Sequence, residues 1–282
     1  MSIIASITLM RPINSLMVGF AVVVGIVITS PHMIFSQQSL FGFMTGFFIS
    51  SYSMVINDFY DLEVDRVNNP YKPLPSGKIK IKFALSLAIM LLLLGLFSAI
   101  LISILNFIIA LIFAIISWIY NAWGKKKGII GNMMVALSVS IPYIYGSIAI
   151  GKLNDLLIWF LALISFIAAT GREVVKTISD VEGDKLRDVR SIARVCGIKY
   201  AAQLSSTLFL IAVAFSLLPI ILKIVGLIYI VLILIPDAIF IYASINILKN
   251  YSFKNAIRIK KITLMGMLMG LIAFIIGGAF RF

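Results

Sequence analysis

LFGFMTGFFISSYSMVINDFYDLEVD, Leu40–Asp65, runs from a long apolar stretch directly into a row of acid. Leu40–Ile56 approaches the roughly 20 residues that carry a helix across about 30 Å of hydrocarbon. The stretch then stops on Asn57, Asp58, Asp61, Glu63 and Asp65. Carboxylates that crowd the end of an apolar span, with none inside it, predict an all-α integral-membrane protein whose polar chemistry sits at one membrane edge.

Working outward with the same ruler brackets eight more runs, at Pro12–Thr29, Phe83–Ser103, Phe107–Trp123, Ile129–Ile150, Leu156–Val175, Ala201–Pro219, Ile224–Leu248 and Ile262–Ala279. Nine transmembrane helices follow, with short breaks at Leu105–Asn106 and Pro219–Lys223. The 282 residues are 61% hydrophobic and 12% charged, more apolar surface than one water-soluble core can hide. No polar linker or low-complexity tract divides them, so a single membrane domain over residues 1–282 is expected. Arg11 alone is basic ahead of the first long run, and no small-residue cleavage site lies near Ser30, so that run reads as a retained helix. Cys196, the only cysteine, excludes an intrachain disulfide and a cysteine metal cluster.

The formal charge of +13 does not point to nucleic acid, because Lys and Arg fall in short blocks between apolar runs. Four connections hold most of them: Arg66–Lys82, Lys125–Lys127, Lys185–Lys199 and Lys249–Lys261. The opposite side has Lys152, Lys223 and Arg281. The positive-inside rule puts the four basic connections and the N-terminus in the cytoplasm and, with an odd number of helices, Phe282 outside. Anionic lipid headgroups complement such blocks; no obligate protein partner is implied.

Of eleven Asp and Glu residues, four lie in Asp58–Asp65 and five in Glu173–Asp188; only Asp155 and Asp237 lie elsewhere. Each cluster closes an even-numbered span, so both meet the cytoplasmic face. A continued helix would align Asp58, Asp61 and Asp65, with Asn57 beside them, and Asp180, Asp184 and Asp188 repeat every four residues. Like charges at that spacing repel, and near hydrocarbon each costs about 2.5–3.5 kcal/mol or more, so cations must bind between them. Mg²⁺ answers that need and usually takes one or two carboxylates plus substrate phosphates. Flanking Lys and Arg, Lys125 and Lys126 among them, suit the remaining phosphate charge. A diphosphate head at the membrane edge with an apolar body inside the bundle describes an isoprenyl diphosphate.

Asn57–Gly77, NDFYDLEVDRVNNPYKPLPSG, resembles the first signature of the UbiA family of intramembrane prenyltransferases. DVEGD, Asp180–Asp184, resembles its second. YNAWGKKKGIIGN, Tyr120–Asn132, is similar to the family's Tyr…Lys…Gly-Asn connection, and RPIN, Arg11–Asn14, to its N-terminal segment. Lys72 stands where many members have Arg, a point charge in place of a planar fork. The resemblance implies helices ringed about a central cavity, cytoplasmic cap loops that carry both acid rows, a lateral opening for lipids, and an active site toward the cytoplasm. It also implies that Asp58, Asp61, Asp65, Asp180 and Asp184 are catalytic and hold Mg²⁺. Substrate binding would fall to Arg11, Asn14, Asn57, Lys72, Tyr120, Lys125, Lys126 and Asp188. Aromatic faces, Tyr120 and Tyr143 among the candidates, suit a carbocation-like carbon.

REVVK, Arg172–Lys176, ahead of DVEGD looks closest to the archaeal members that transfer a geranylgeranyl chain to geranylgeranylglyceryl phosphate, a lipid acceptor. Arg11, Arg172 and Lys176 would then meet the acceptor phosphate. Prenylation of an aromatic quinone precursor is the alternative within the family. A divalent-cation transporter is the alternative outside it, and it requires ionisable residues along the path, where only Asp237 lies mid-span. The Asp-Gly-x-x-Ala-Arg core of CDP-alcohol phosphotransferases is absent. His32, the three Trp residues near span ends, Pro142, Pro219 and Pro236, and Gly266 with Gly270 read as structural.

Overall fold

The computed structural model describes residues 3–186 and 188–279. Among them all regular structure is helical: α1 (Ile3–Met10), α2 (Pro12–Thr29), α3 (Gln37–Tyr60), α4 (Leu62–Asn68), α5 (Ile81–Ile100), α6 (Ile104–Ala122), α7 (Ile129–Ala149), α8 (Leu156–Leu186), α9 (Ile192–Val195), α10 (Ile198–Ser216), α11 (Leu218–Ile221), α12 (Leu227–Lys249) and α13 (Phe253–Ala279), with 3₁₀ turns at Pro31–Met33 and Gly124–Lys126. Nine helical segments among the described residues are long and apolar enough to cross a membrane, the seventh formed by α10 with α11. The protein is an all-α, multi-pass membrane protein. Arg187, Arg281 and Phe282, used above to assign orientation, lie outside the described residues.

The expected spans are all present, with shifted ends. The break placed at Leu105–Asn106 falls earlier, where Ser103 caps α6 by accepting from the Asn106 N–H at 3.1 Å. α8 outruns its apolar stretch: its 31 residues measure about 46 Å, so the helix continues through REVVK and DVEGD well past a hydrocarbon core. α13 likewise begins at Phe253 and carries Lys254, Arg258, Lys260 and Lys261 in its first turns. Hydropathy ends a span where charge begins, whereas the backbone keeps its helix until a cap or glycine stops it. Of the acid rows expected on cap loops, Asp58, Asp65, Asp180 and Asp184 are therefore helical, whereas Asp61 and Asp188 are not.

The chain forms two compact units. One comprises the residues up to Ile26, His32–Trp123 and Tyr145–Leu153; the other comprises Val27–Pro31, Gly124–Ile144 and the chain from Asn154 onward. In the first, α3 packs against α5 and α6, and α1 lies on α3. Leu9, Val55, Ala84, Ala88 and Leu91 form its core. Glycines bring α2 and α3 together: a Cβ on Gly46 would stand 3.0 Å from Gly19 Cα. In the second, α8, α10, α12 and α13 close a four-helix ring of contacts, α8 on α10, α10 on α12, α12 on α13 and α13 on α8. Phe209 and Phe240 meet in its core with ring centroids 5.5 Å apart. Dispersion and close backbone approach, in place of water exclusion, hold such helices in lipid.

Candidate active site

α3 carries the first acid row to its end. Asp61 interrupts the helix at φ −87°, ψ 1°, yet its N–H still donates to Asn57 O and its own carbonyl accepts from Asp65 N–H at 2.7 Å, so the hydrogen-bond ladder runs on from α3 into α4. Asp58 and Asp65, seven residues apart and thus two turns along one face, are both buried, while Asp61 is half-buried and Glu63 is exposed and paired with Arg66. Two buried carboxylates this close to hydrocarbon require partners. Lys72, from the turn after α4, supplies one cation to both: its Nζ lies 2.6 Å from Asp65 Oδ2 and 3.4 Å from Asp58 Oδ1. Arg11 adds a second, with Nη2 2.5 Å from Asp58 Oδ1 and 3.4 Å from Asn57 Oδ1. Arg11 reaches them from the joint between α1 and α2 with φ 47°, a left-handed conformation that costs an ordinary residue about 1–3 kcal/mol.

Further neighbours of this row were not among the expected site residues. Asn69 Nδ2 donates to Asp65 Oδ1 at 3.0 Å. Asn121, buried on α6, accepts from Asn57 Nδ2 at 2.8 Å and donates to Ser117 O at 2.9 Å. The signals available for Asn121 were its place in the Tyr120–Asn132 segment quoted above and a polar side chain at the end of an apolar run.

The second row lies on α8 in the other unit. Asp184 is buried, Asp180 half-buried, and Asp188 exposed just beyond the helix at φ 49°, where Arg194 Nη1 donates to its Oδ1 at 3.0 Å. Asp188 thus leaves the four-residue repeat because α8 has ended. The basic turn is fastened beside this terminus: Arg190 N–H donates to Lys126 O at 3.2 Å, and Gly128, at φ 55°, passes so close that a Cβ there would stand 2.5 Å from Arg190 O. Lys125 is half-buried and Lys126 exposed. One turn into α7, Asn132 has a buried Nδ2 without an acceptor, and so does the Ser191 hydroxyl after α8. Donors left open beside a lysine turn fit an anion.

Deeper on α8, Arg172 Nη1 donates to Glu173 Oε1 at 3.1 Å, and Lys176 Nζ lies 3.5 Å from Glu173 Oε2. Tyr143 lines a separate cavity of about 50 Å³ with Leu161, Ala168, Asp237 and Phe240. There the Ser216 hydroxyl lies 2.8 and 3.0 Å from the two Asp237 oxygens, while Tyr229 OH donates to Ser216 O at 3.0 Å. Tyr120 is half-buried, and Asn14 is exposed.

No group of three or more His, Cys, Asp or Glu among the described residues could hold an ion alone. The oxygens of Asp58 and Asp65 are hard donors, two to a site, with cations at hand for phosphate. That donor set suits an ion that takes few carboxylates and completes its shell from water and phosphate, as Mg²⁺ does.

The model of the UbiA prenyltransferase family matches residues 18–269. The chain belongs to the UbiA prenyltransferase family. It is accordingly a membrane prenyltransferase. Among the relatives of this UbiA chain, the digeranylgeranylglyceryl phosphate synthase of Methanocaldococcus jannaschii is 38% identical over 269 residues, covering 95% of this chain and 94% of its own. A solved structure from work on digeranylgeranylglyceryl phosphate synthase in membranes is 36% identical, covers 98% of both chains and superposes with a TM-score of 0.87. The fold alone is shared with a UbiA homolog from Archaeoglobus fulgidus bound to GPP and Mg²⁺, at 20% identity over 96% of this chain and 99% of that one, TM-score 0.71.

Proposed function

We propose that this enzyme transfers a geranylgeranyl chain from geranylgeranyl diphosphate to geranylgeranylglyceryl phosphate, forming the digeranylgeranylglyceryl phosphate precursor of ether lipids. The single observation that carries the chemistry is the buried Asp58–Asp65 pair, already bridged by Lys72 and touched by Arg11. The synthase relatives, similar over nearly the whole chain, support this acceptor over an aromatic one.

In this reading Asp58, Asp61, Asp65, Asp180 and Asp184 hold Mg²⁺. The ion would supply charge neutralisation that makes the diphosphate a leaving group. Lys72, Lys125 and Lys126 take up phosphate oxygens, and Asn57 orients them, its own amide set by Asn121. Arg172 and Lys176 receive the acceptor phosphate, joined by Arg11. The allylic C1–O bond breaks, its electron pair leaves with the diphosphate, and the acceptor hydroxyl oxygen bonds to C1. The surrounding apolar spans exclude water, which would otherwise capture the chain.

The proposal extends to the setting. The basic connections and N-terminus face the cytoplasm together with the active site, and residues 1–282 act as one catalytic domain, a view supported by α2 and α7, each of which gives residues to both units. The test is an assay of purified protein in lipid, with geranylgeranyl diphosphate, Mg²⁺, and either geranylgeranylglyceryl phosphate or an aromatic acid. Product with the phosphate acceptor is the expected result; product with the aromatic acid alone would move the enzyme to quinone chemistry.

A further inference from the structure

α8 carries one buried carboxylate that neither acid row uses. The Glu173 side chain, 10% exposed, sits between Arg172 Nη1 at 3.1 Å and Lys176 Nζ at 3.5 Å. Arg172 also buries its Nε with no acceptor. At 100° per residue, Glu173, Thr177, Asp180 and Asp184 fall within a band of about 60° on the helix, whereas Val174, Val175 and Ile178 turn into the core of the unit on another face. Seven residues of rise set Glu173 about 10 Å from Asp180 along the axis, on the hydrocarbon side. A substrate laid lengthwise, with its diphosphate at Asp180 and Asp184, brings its reacting carbon toward that depth.

We infer that Glu173 is the base that takes the acceptor's hydroxyl proton, and that Arg172 and Lys176, which pair with it in the free enzyme, pass to the acceptor phosphate. This rests on the reading above that the acceptor is a phosphorylated glycerol ether with a free hydroxyl. The hydroxyl oxygen gives a lone pair to C1 of the allylic chain as the C1–O bond breaks and its electrons leave on the diphosphate. The O–H pair returns to the new ether oxygen, and the proton goes to Glu173, which later yields it to solvent. A strong base is unnecessary, because an alcohol bound to a carbocation-like carbon is itself strongly acidic. The phosphate also supplies the acceptor that Arg172 Nε lacks.

The alternative is a salt bridge that only neutralises Arg172. Glu173→Gln separates the two, because its amide oxygen still accepts from Arg172 but takes no proton. With the purified enzyme in nanodiscs, Glu173→Gln is expected to lower kcat with geranylgeranylglyceryl phosphate by about 100-fold or more, with the KM for that acceptor held within about threefold. Glu173→Asp should retain an intermediate kcat, and added formate should restore turnover to Glu173→Ala, which a merely structural carboxylate would not allow. A Glu173→Gln enzyme with normal kcat, or with only a raised KM, overturns the inference; so does a Glu173→Ala enzyme indifferent to formate while its thermal unfolding matches wild type. Wild-type product with an aromatic carbon acceptor alone overturns the acceptor reading, and the base with it. Wild-type product with the phosphate acceptor and an unaffected Glu173→Gln overturns the base alone.

Discussion

Asn57 donates from Nδ2 to Asn121 Oδ1 at 2.8 Å, which ties α3 to α6 one residue before the first aspartate. Asn121 is itself fixed by its bond to Ser117 O, and Ser117 bonds Ser53 at 2.6 Å. The Asn57 oxygen is thereby left facing Arg11. A polar ladder in the body of two apolar spans thus determines which atom the amide presents at the acid row.

Asn121→Leu removes that ladder without touching a charge. Turnover should fall by about 10–100-fold, the range seen when a residue supporting a metal-site group is lost, and thermal unfolding in detergent should show the chain still folded. Steady-state kinetics at saturating Mg²⁺ checks this.

Lys72 joins two buried carboxylates as a point charge. Lys72→Arg keeps the charge and should stay within about fivefold of wild-type kcat/KM for the diphosphate, because a guanidinium reaches both phosphate and carboxylate. Lys72→Met leaves Asp58 and Asp65 facing each other with one cation fewer and should cost about 30-fold or more in the same measurement.

Metal removal should abolish turnover reversibly. Chelation followed by a Mg²⁺ titration is expected to restore wild-type activity, and Asp58→Asn should shift the half-maximal Mg²⁺ concentration upward by about tenfold or more. An unshifted titration would remove Asp58 from the metal-binding set.

Gly128 supplies the left-handed turn that seats the basic loop beside Arg190. Gly128→Ala meets both a disfavoured φ and the Arg190 carbonyl, at a cost of about 1–3 kcal/mol. The KM for the diphosphate should rise, and the unfolding temperature should fall modestly.

Cys196, exposed after the short α9, is the only thiol in the chain. In inside-out vesicles a membrane-impermeant maleimide should label it, and in right-side-out vesicles it should not. The reverse pattern would invert the topology.

Much of this was legible from residue type alone. The nine spans could be read because lipid demands about 20 apolar residues in each, and Asp58 with Asp65 because two turns of helix return to one face. The pairing of Lys72 with both was not, since it depends on how the turn after α4 folds back. Asn121 escaped because it is a single amide at the end of an apolar run, and only its hydrogen-bond partners distinguish it. The helical extension of α8 was missed because hydropathy registers where lipid ends, not where the backbone stops coiling.

Helix α7 is divided between the units, Ile129–Ile144 in one and Tyr145–Ala149 in the other, with Pro142 just ahead of the crossing point. A Cβ on Gly146 would collide with the Val22 carbonyl, so the second part is wedged as tightly as any core position. The chain therefore has no clean seam. A gene cut in the loop after α7 would leave one fragment holding a helix segment that the other needs, and one cut before α7 would do the converse. Two separately made halves would therefore not divide along the boundary between the units.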